Sequence, residues 1–324
     1  MLNFLRIIFS SAVAFFASGC SSLKQSSDEA YLRNSGDVLK PWKSSVEASE
    51  QHWPFAWASY SAYLHEADGK ALIVTEECPE PHGLLESRGW ELWEELPRVG
   101  RKSQANSELE RRLQNAHLRA EVWSNQAANT VIVAFGGTAS LRDFRSNARW
   151  LLPSTEKDAY RILTNAYVPA FAASYEARAR EENGSWLRNA RIVSTGHSLG
   201  GGLAQRFAYS AKPTIDMPGI REVYGFDPSP VSGKRDIPDF RSRANGLTIY
   251  RIYNRGEILA TVRSILQWAN PANARNDGQT WIDIRYADGW GARTLLPSGW
   301  IRAHGMRQLA CFMNKRRPIS SPSG

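Results

Sequence analysis

The sequence is sparing with the residues that build metal and redox centres: among 324 residues there are three cysteines, six histidines and four methionines. Cys20, Cys78 and Cys311 stand far apart, so no zinc-type Cys/His spacing exists. A P-loop and the known nucleic-acid motifs are missing as well. Together these gaps point to a protein with no metal, no cofactor and no nucleic-acid partner. Nor does any apolar run approach the roughly 20 residues that span a bilayer; the N-terminal one covers Ile7 to Ala17. Basic residues outnumber acidic ones, 40 to 32, but the net charge of +8 is spread along the chain. A diffuse positive surface suits anionic phospholipid or polysaccharide, or simple solubility. The hydrophobic share of 42% is that of a globular chain long enough for one large core.

The N-terminus has the three parts of a secretory signal: Arg6 supplies the charge, Ile7–Ala17 the apolar stretch, and Ser18-Gly19 the small residues before Cys20. Small residues directly before a cysteine resemble the bacterial lipobox, with Ala17 where Leu is usual. That resemblance implies lipidation at Cys20 and a lipid-anchored protein of the cell envelope. Ser21 and Ser22 carry no aspartate, which favours the outer membrane of a Gram-negative bacterium. The other reading is an uncleaved anchor or plain signal peptide with a chance cysteine. Residues 21–50, rich in Ser, Lys, Glu and Asp, have no sustained apolar period and are expected to be a solvated tether. The expected division is therefore a signal over 1–19, a tether over 20–50 and a catalytic-type domain over 51–324. Cys78 and Cys311 remain, either as a disulfide or as two buried thiols.

From Trp53 to Ala67 apolar residues recur at helical spacing. Strands are expected at Gly89–Pro97, at His117–Asn125 and Asn129–Gly137 joined by a short polar turn, at Arg191–Thr195, Arg221–Asp227 and Leu247–Asn254. Thr280–Ala287 suggests an edge strand or hairpin. Val131–Phe135 is apolar without alternation, as in a central strand covered on both faces. Helices are expected over Tyr160–Glu182, Gly201–Ala211 and Trp300–Met313. Strands alternating with helices imply an α/β fold with a mainly parallel sheet and helices on both faces.

Gly196-His197-Ser198-Leu199-Gly200 fits G-x-S-x-G, with a strand before it and a helix after it. Such a turn lifts the serine to the carboxyl edge of a sheet, because the flanking glycines let strand and helix pass closely. The bland reading is a glycine-rich helix entry. A serine nucleophile needs a base, and the base needs an orienting carboxylate. The turn resembles that of the α/β-hydrolases, in which the triad follows the order Ser, acid, His; the sole histidine C-terminal to Ser198 is His304, which that order implies as the base. His197 should point away from the serine, into helix packing.

"TVIVAFGGTASLRDFRSN", "VSTGHSLGGGLAQ", "YRIYNRGEIL" and "AHGM" resemble, in order, landmarks of the class 3 (fungal-type) lipases of the α/β-hydrolase superfamily. The likeness runs from about Trp53 to Cys311, and its first two blocks are the specific ones. It implies an α/β-hydrolase fold and an oxyanion hole built by Thr138 and the N–H of Leu199. Gly136 replaces the Arg of the family's F-R-G-T, a departure that bears on local ion pairing and not on the hole itself. The family's Asp after the strand matches Glu257, which is the favoured acid; Asp227 is the rival, and Asp283 and Asp288 are further candidates. Asp143 and Asn147 match polar positions after the oxyanion turn. Trp150, Leu151 and Leu152 fall where the family carries its lid, and Ile258–Trp268 is placed to line an acyl channel.

These readings favour a serine ester hydrolase acting on acyl esters of lipids, lipase or phospholipase, through a Ser-acid-His triad and an acyl-enzyme. Lipid or phospholipid would be the substrate, with the membrane reached through the lipid anchor. The competing readings are a lipidated binding protein on an inactive hydrolase scaffold, and an acyltransferase or peptidase with the same triad.

Overall fold

The computed structural model describes residues 25–63, 74–97, 107–137, 159–229, 232–234, 237–255, 278–288 and 304–316. The unalternating apolar runs take the middle of the sheet. β4 (Ala120–Asn125) turns through four residues into β5 (Thr130–Phe135), and every residue of both strands is buried. β5 pairs in parallel with β6 (Arg191–His197), which pairs with β7 (Glu222–Phe226), then β8 (Thr248–Asn254), then β9 (Thr280–Tyr286). The sheet continues past both ends of this parallel block. β3 (Glu91–Leu92) borders β4, and β1 (Glu29–Asn34) and β2 (Lys40–Ser44) follow β9, all antiparallel, giving nine strands in the order β2-β1-β9-β8-β7-β6-β5-β4-β3.

Two expectations are corrected here. The stretch over 20–50 is not a tether from residue 25 onward: it supplies β1, β2 and the first turns of α1 (Ser45–Ser61). Gln25 already donates through its side chain to the Arg285 carbonyl at 2.8 Å. β9 is likewise no edge strand, because β1 covers its outer side with Tyr31 opposite Arg285 and Arg33 opposite Asp283. The short strands carry weak local signals, and Pro41 suits only a sheet edge, where its missing N–H is harmless.

α1 starts at a capping box: Ser44 Oγ accepts from the Glu47 N–H and Glu47 accepts from the Ser44 N–H, each at 3.2 Å. The alternation of β5 then sorts the core. Val131, Val133 and Phe135 face one layer with Phe171 and Tyr175 of α4 (Val168–Arg180) and Leu203 and Phe207 of α5 (Leu199–Ser210). Ile132 and Ala134 face the other, with Phe55 and Trp57 of α1 and Leu309 and Met313 of α7 (Met306–Lys315). Smaller helices are α2 (Pro81–Glu86), α3 (Glu108–Asn115) and α6 (Phe240–Ala244), with a π-helical turn over Leu163–Tyr167 and a 3-10 turn over Ser185–Asn189. The architecture is α/β, a mainly parallel sheet between two helical layers.

Cys78 and Cys311 are joined in a disulfide with a Cα–Cα distance of 4.8 Å, which settles the two alternatives for that pair. The bridge ties α7 to the chain before α2 across a sequence separation of 233. Closing so long a loop in the unfolded chain is worth about 5 kcal/mol on chain-entropy grounds. It also fastens the helix that begins two residues after His304.

Candidate active site

Because β6, β7 and β8 run in parallel, their carboxyl ends lie along one edge, and the chain places a polar residue at each exit. Ser198 follows β6, Asp227 follows β7, and Asn254 ends β8. Backbone bonds lock the three exits together. The Ser198 N–H donates to Phe226 at 3.0 Å, the Asp227 N–H to Ile252 at 2.7 Å, and the Ser229 N–H to the Ser198 carbonyl at 2.9 Å.

Ser198 sits at φ 56 and ψ −121, in the left-handed half of backbone space that a residue with a Cβ avoids. Holding it there costs on the order of 1–3 kcal/mol, a strain the surrounding structure must impose. The flanking glycines show how. A Cβ at Gly196 would lie 2.8 Å from the Phe135 carbonyl, and one at Gly200 would strike the same carbonyl from the helix side. Strand, turn and α5 therefore pass closer than alanine permits. The outcome is a half-buried Ser198 directly before the first residue of α5, Leu199, whose N–H is among those an α-helix leaves without an intrahelical acceptor.

His304 arrives from the other end of the chain, just before α7, and is 2% exposed. Its Nε2 lies 3.1 Å from Ser198 Oγ, hydrogen-bond distance for a hydroxyl and an imidazole. Asp227 is fully buried beside them at φ 42, a second left-handed non-glycine residue at the same edge. Its Oδ1 accepts from the Asn254 N–H at 3.3 Å. One carboxylate oxygen of Asp227 and one ring nitrogen each of His197 and His304 lie within 4.8 Å of one another.

That trio could be taken for a metal site, but both ring nitrogens of His197 are already engaged. Its Nε2 is 2.7 Å from the His304 carbonyl, which can only accept, so Nε2 carries the proton. Its Nδ1 then accepts from the Tyr63 hydroxyl at 2.8 Å. Burial first, and the neighbouring His304 second, hold the His197 pKa well below the ordinary imidazole value, so the ring is neutral. For the same reason its 3.8 Å approach to Asp227 Oδ2 is a contact between a carboxylate and a neutral ring and not an ion pair. The cluster is held through its surroundings: His197 by the His304 carbonyl and the Tyr63 hydroxyl, and Asp227 by the Asn254 N–H.

Of the residues singled out from sequence, the structure brings together Ser198, Leu199, Asp227 and His304. Asp283 is engaged by Arg33 and by Arg251, the latter at 2.5 Å, within the sheet. The Asp288 N–H donates to the Asn254 side chain at 3.2 Å. Cys20, Thr138, Asp143, Asn147, Trp150, Leu151, Leu152, Glu257 and the segment 258–268 lie outside the described residues. His197, expected in helix packing, instead contacts the Tyr63 hydroxyl and the His304 carbonyl, with its ring centre 4.8 Å from that of His304. Tyr63 and Arg119 drew no attention in the sequence. Nothing local marks them, since their partners are more than 15 residues distant.

No family model and no curated protein matches the chain. Among solved structures it is similar to a lipase–propeptide complex from Rhizomucor miehei, at 16% identity over 74% of this chain and 70% of that one, with a TM-score of 0.41. It is also similar to the Lip2 lipase of Yarrowia lipolytica, at 16% identity over 67% and 75%, with a TM-score of 0.41. The lipase of Rhizopus microsporus var. chinensis gives 15%, 67%, 69% and 0.39 in the same measures.

Proposed function

We propose that this chain is a serine ester hydrolase acting on acyl esters of lipids, with Ser198 as nucleophile, His304 as base and Asp227 as the orienting acid. The observation that carries the proposal is the strained Ser198 turn with its hydroxyl 3.1 Å from His304 Nε2 and the buried Asp227 beside that ring. In the reaction Ser198 Oγ attacks the ester carbonyl while its proton passes to His304 Nε2. The developing oxyanion takes the Leu199 N–H, with Thr138 as the expected second donor; one such donor is worth roughly 3 kcal/mol of barrier. His304 returns the proton to the departing alcohol, and a water deprotonated by the same nitrogen then cleaves the acyl-enzyme.

A medium or long acyl chain fits the apolar Trp150-Leu151-Leu152 and 258–268 segments expected beside the site. Fluorophosphonate treatment of folded protein should phosphonylate Ser198, seen as a mass adduct on its peptide. Phospholipid vesicles or emulsions should then be turned over faster than soluble butyrate esters. No adduct would end the hydrolase reading, and activity confined to butyrate esters would end the lipid one.

The Cys20 anchor belongs to this proposal, and the Cys78–Cys311 disulfide supports an oxidising compartment. Since Gln25 is bonded to β9, only residues 20–24 remain as spacer, a reach of at most ~18 Å. The domain would rest against the bilayer instead of standing off it. Cys20→Ser should abolish incorporation of labelled palmitate; continued labelling would refute the anchor.

A further inference from the structure

Around the proposed triad lies a second set of groups that touches no reacting atom. Tyr63, just past the end of α1, places its hydroxyl 2.8 Å from His197 Nδ1 and 3.2 Å from the His197 carbonyl. His197 in turn donates from Nε2 to the backbone carbonyl of His304 at 2.7 Å. On the other side of Tyr63, the Arg119 guanidinium lies over the ring, 5.4 Å from its centre, and donates to the Gly137 carbonyl at 2.6 Å. Arg119 is 3% exposed, so that bond is made out of water. Gly137 is the residue before Thr138, the expected oxyanion donor.

The glycines at the end of β5 give independent evidence of how tightly this set is assembled. A Cβ on Gly137 would overlap the Tyr63 hydroxyl and stand 2.6 Å from the His197 carbonyl. A Cβ on Gly136 would stand 2.7 Å from the Ala62 carbonyl and 3.2 Å from Arg119 Cβ. Position 136 therefore has no room for the arginine of the F-R-G-T pattern. The buried cation at this corner comes instead from Arg119, which precedes β4 in the neighbouring hairpin.

Resting on the hydrolase reading above, we propose that Arg119, Tyr63 and His197 form one positioning network, which holds the backbone on both flanks of Ser198: the Gly137 carbonyl before the oxyanion turn and the His304 carbonyl behind the base. The three are positioning residues and not catalytic ones. The two outer bonds, Arg119 to the Gly137 carbonyl and His197 to the His304 carbonyl, end on backbone atoms one residue from, or belonging to, a proposed catalytic group, and the Tyr63 hydroxyl on His197 Nδ1 orients the second. A neutral His197 is needed throughout, because Nδ1 must accept from Tyr63 while Nε2 donates to His304. Misplacing a reacting group by about an ångström costs up to about a hundredfold in rate, so removing one link should be visible in chemistry before it is visible in folding.

The test uses the full chain and fluorophosphonate, following the maximal phosphonylation rate of Ser198 and the half-saturating reagent concentration separately, with thermal unfolding alongside. Tyr63→Phe keeps the ring and removes the hydroxyl; Arg119→Met keeps the apolar stem and removes the donors. Each is expected to lower the maximal rate roughly ten- to a hundredfold with half-saturation unchanged. Arg119→Lys, which retains one donor for Gly137, should recover part of the loss. The double variant should lose clearly less than the product of the single losses, since both act through one network. A Tyr63→Phe rate within twofold of wild type would overturn the inference. So would single effects that multiply, or a rate loss that merely tracks a lower unfolding midpoint. Absence of any adduct in wild type would be a different failure, removing the hydrolase reading and this inference with it.

Discussion

Ser198→Ala will lose ester hydrolysis by about four orders of magnitude or more while folding as wild type does. The hydroxyl is the sole atom removed, and its one described partner is His304 Nε2 at 3.1 Å, so the stability at stake is that of a single half-buried hydrogen bond, about 1 kcal/mol. Alanine inherits the φ of 56 unchanged, and with it the strain. Ser198→Gly separates the two contributions. Glycine occupies that backbone region without penalty, so this variant should be equally inactive and yet melt higher than the alanine one. Stability gained at the point where activity is lost is the signature of strain kept for function. The check is ester turnover and unfolding midpoints on the three proteins. Residual turnover above a tenth of wild type in either variant would remove Ser198 from the nucleophile's role.

The middle of this fold was legible because its signals are local. The unalternating run at Val131–Phe135 and the strand-turn-helix around Ser198 each carry their structure within about ten residues, and the central strands fall close to where periodicity places them. β1 and β2 were missed for the opposite reason. Glu29–Asn34 becomes a strand by pairing with Ile282–Arg285, some 250 residues away, and its own composition is that of a solvated segment. One local clue did exist: the Ser44–Glu47 capping box moves the start of α1 from Trp53 back to Ser45. At the site, Ser198 and His304 follow from motif and chain order, but Tyr63 and Arg119 do not. Arg119 acts through a backbone carbonyl, which imposes no requirement on sequence that can be read in advance, and Tyr63 through a histidine ring 134 residues away.

Asp227→Asn is expected to reduce kcat by roughly a thousandfold or more, on the scale seen when a triad loses its carboxylate, whereas Glu257→Gln should stay within a few-fold of wild type. The family resemblance alone points the other way, to Glu257. The geometry around β7 favours Asp227: it is fully buried, held at φ 42, anchored through its backbone to Ile252 and through Oδ1 to the Asn254 N–H. With Nε2 of His304 turned to Ser198, the opposite ring nitrogen is the one left for this carboxylate, and one oxygen of Asp227 lies within 4.8 Å of an imidazole nitrogen of that histidine. An amide at position 227 still accepts through its oxygen but carries no charge to stabilise the imidazolium that forms during attack, so the loss should fall on kcat and leave KM near its wild-type value. Removing a buried charge that ends beside a neutral His197 should not lower the unfolding midpoint much, because the desolvation cost of the carboxylate disappears along with its bonds. Kinetics and melting curves on the two variants decide the matter. A larger kcat loss for Glu257→Gln than for Asp227→Asn would return the acid to Glu257 and leave Asp227 as a structural brace between the ends of β7 and β8.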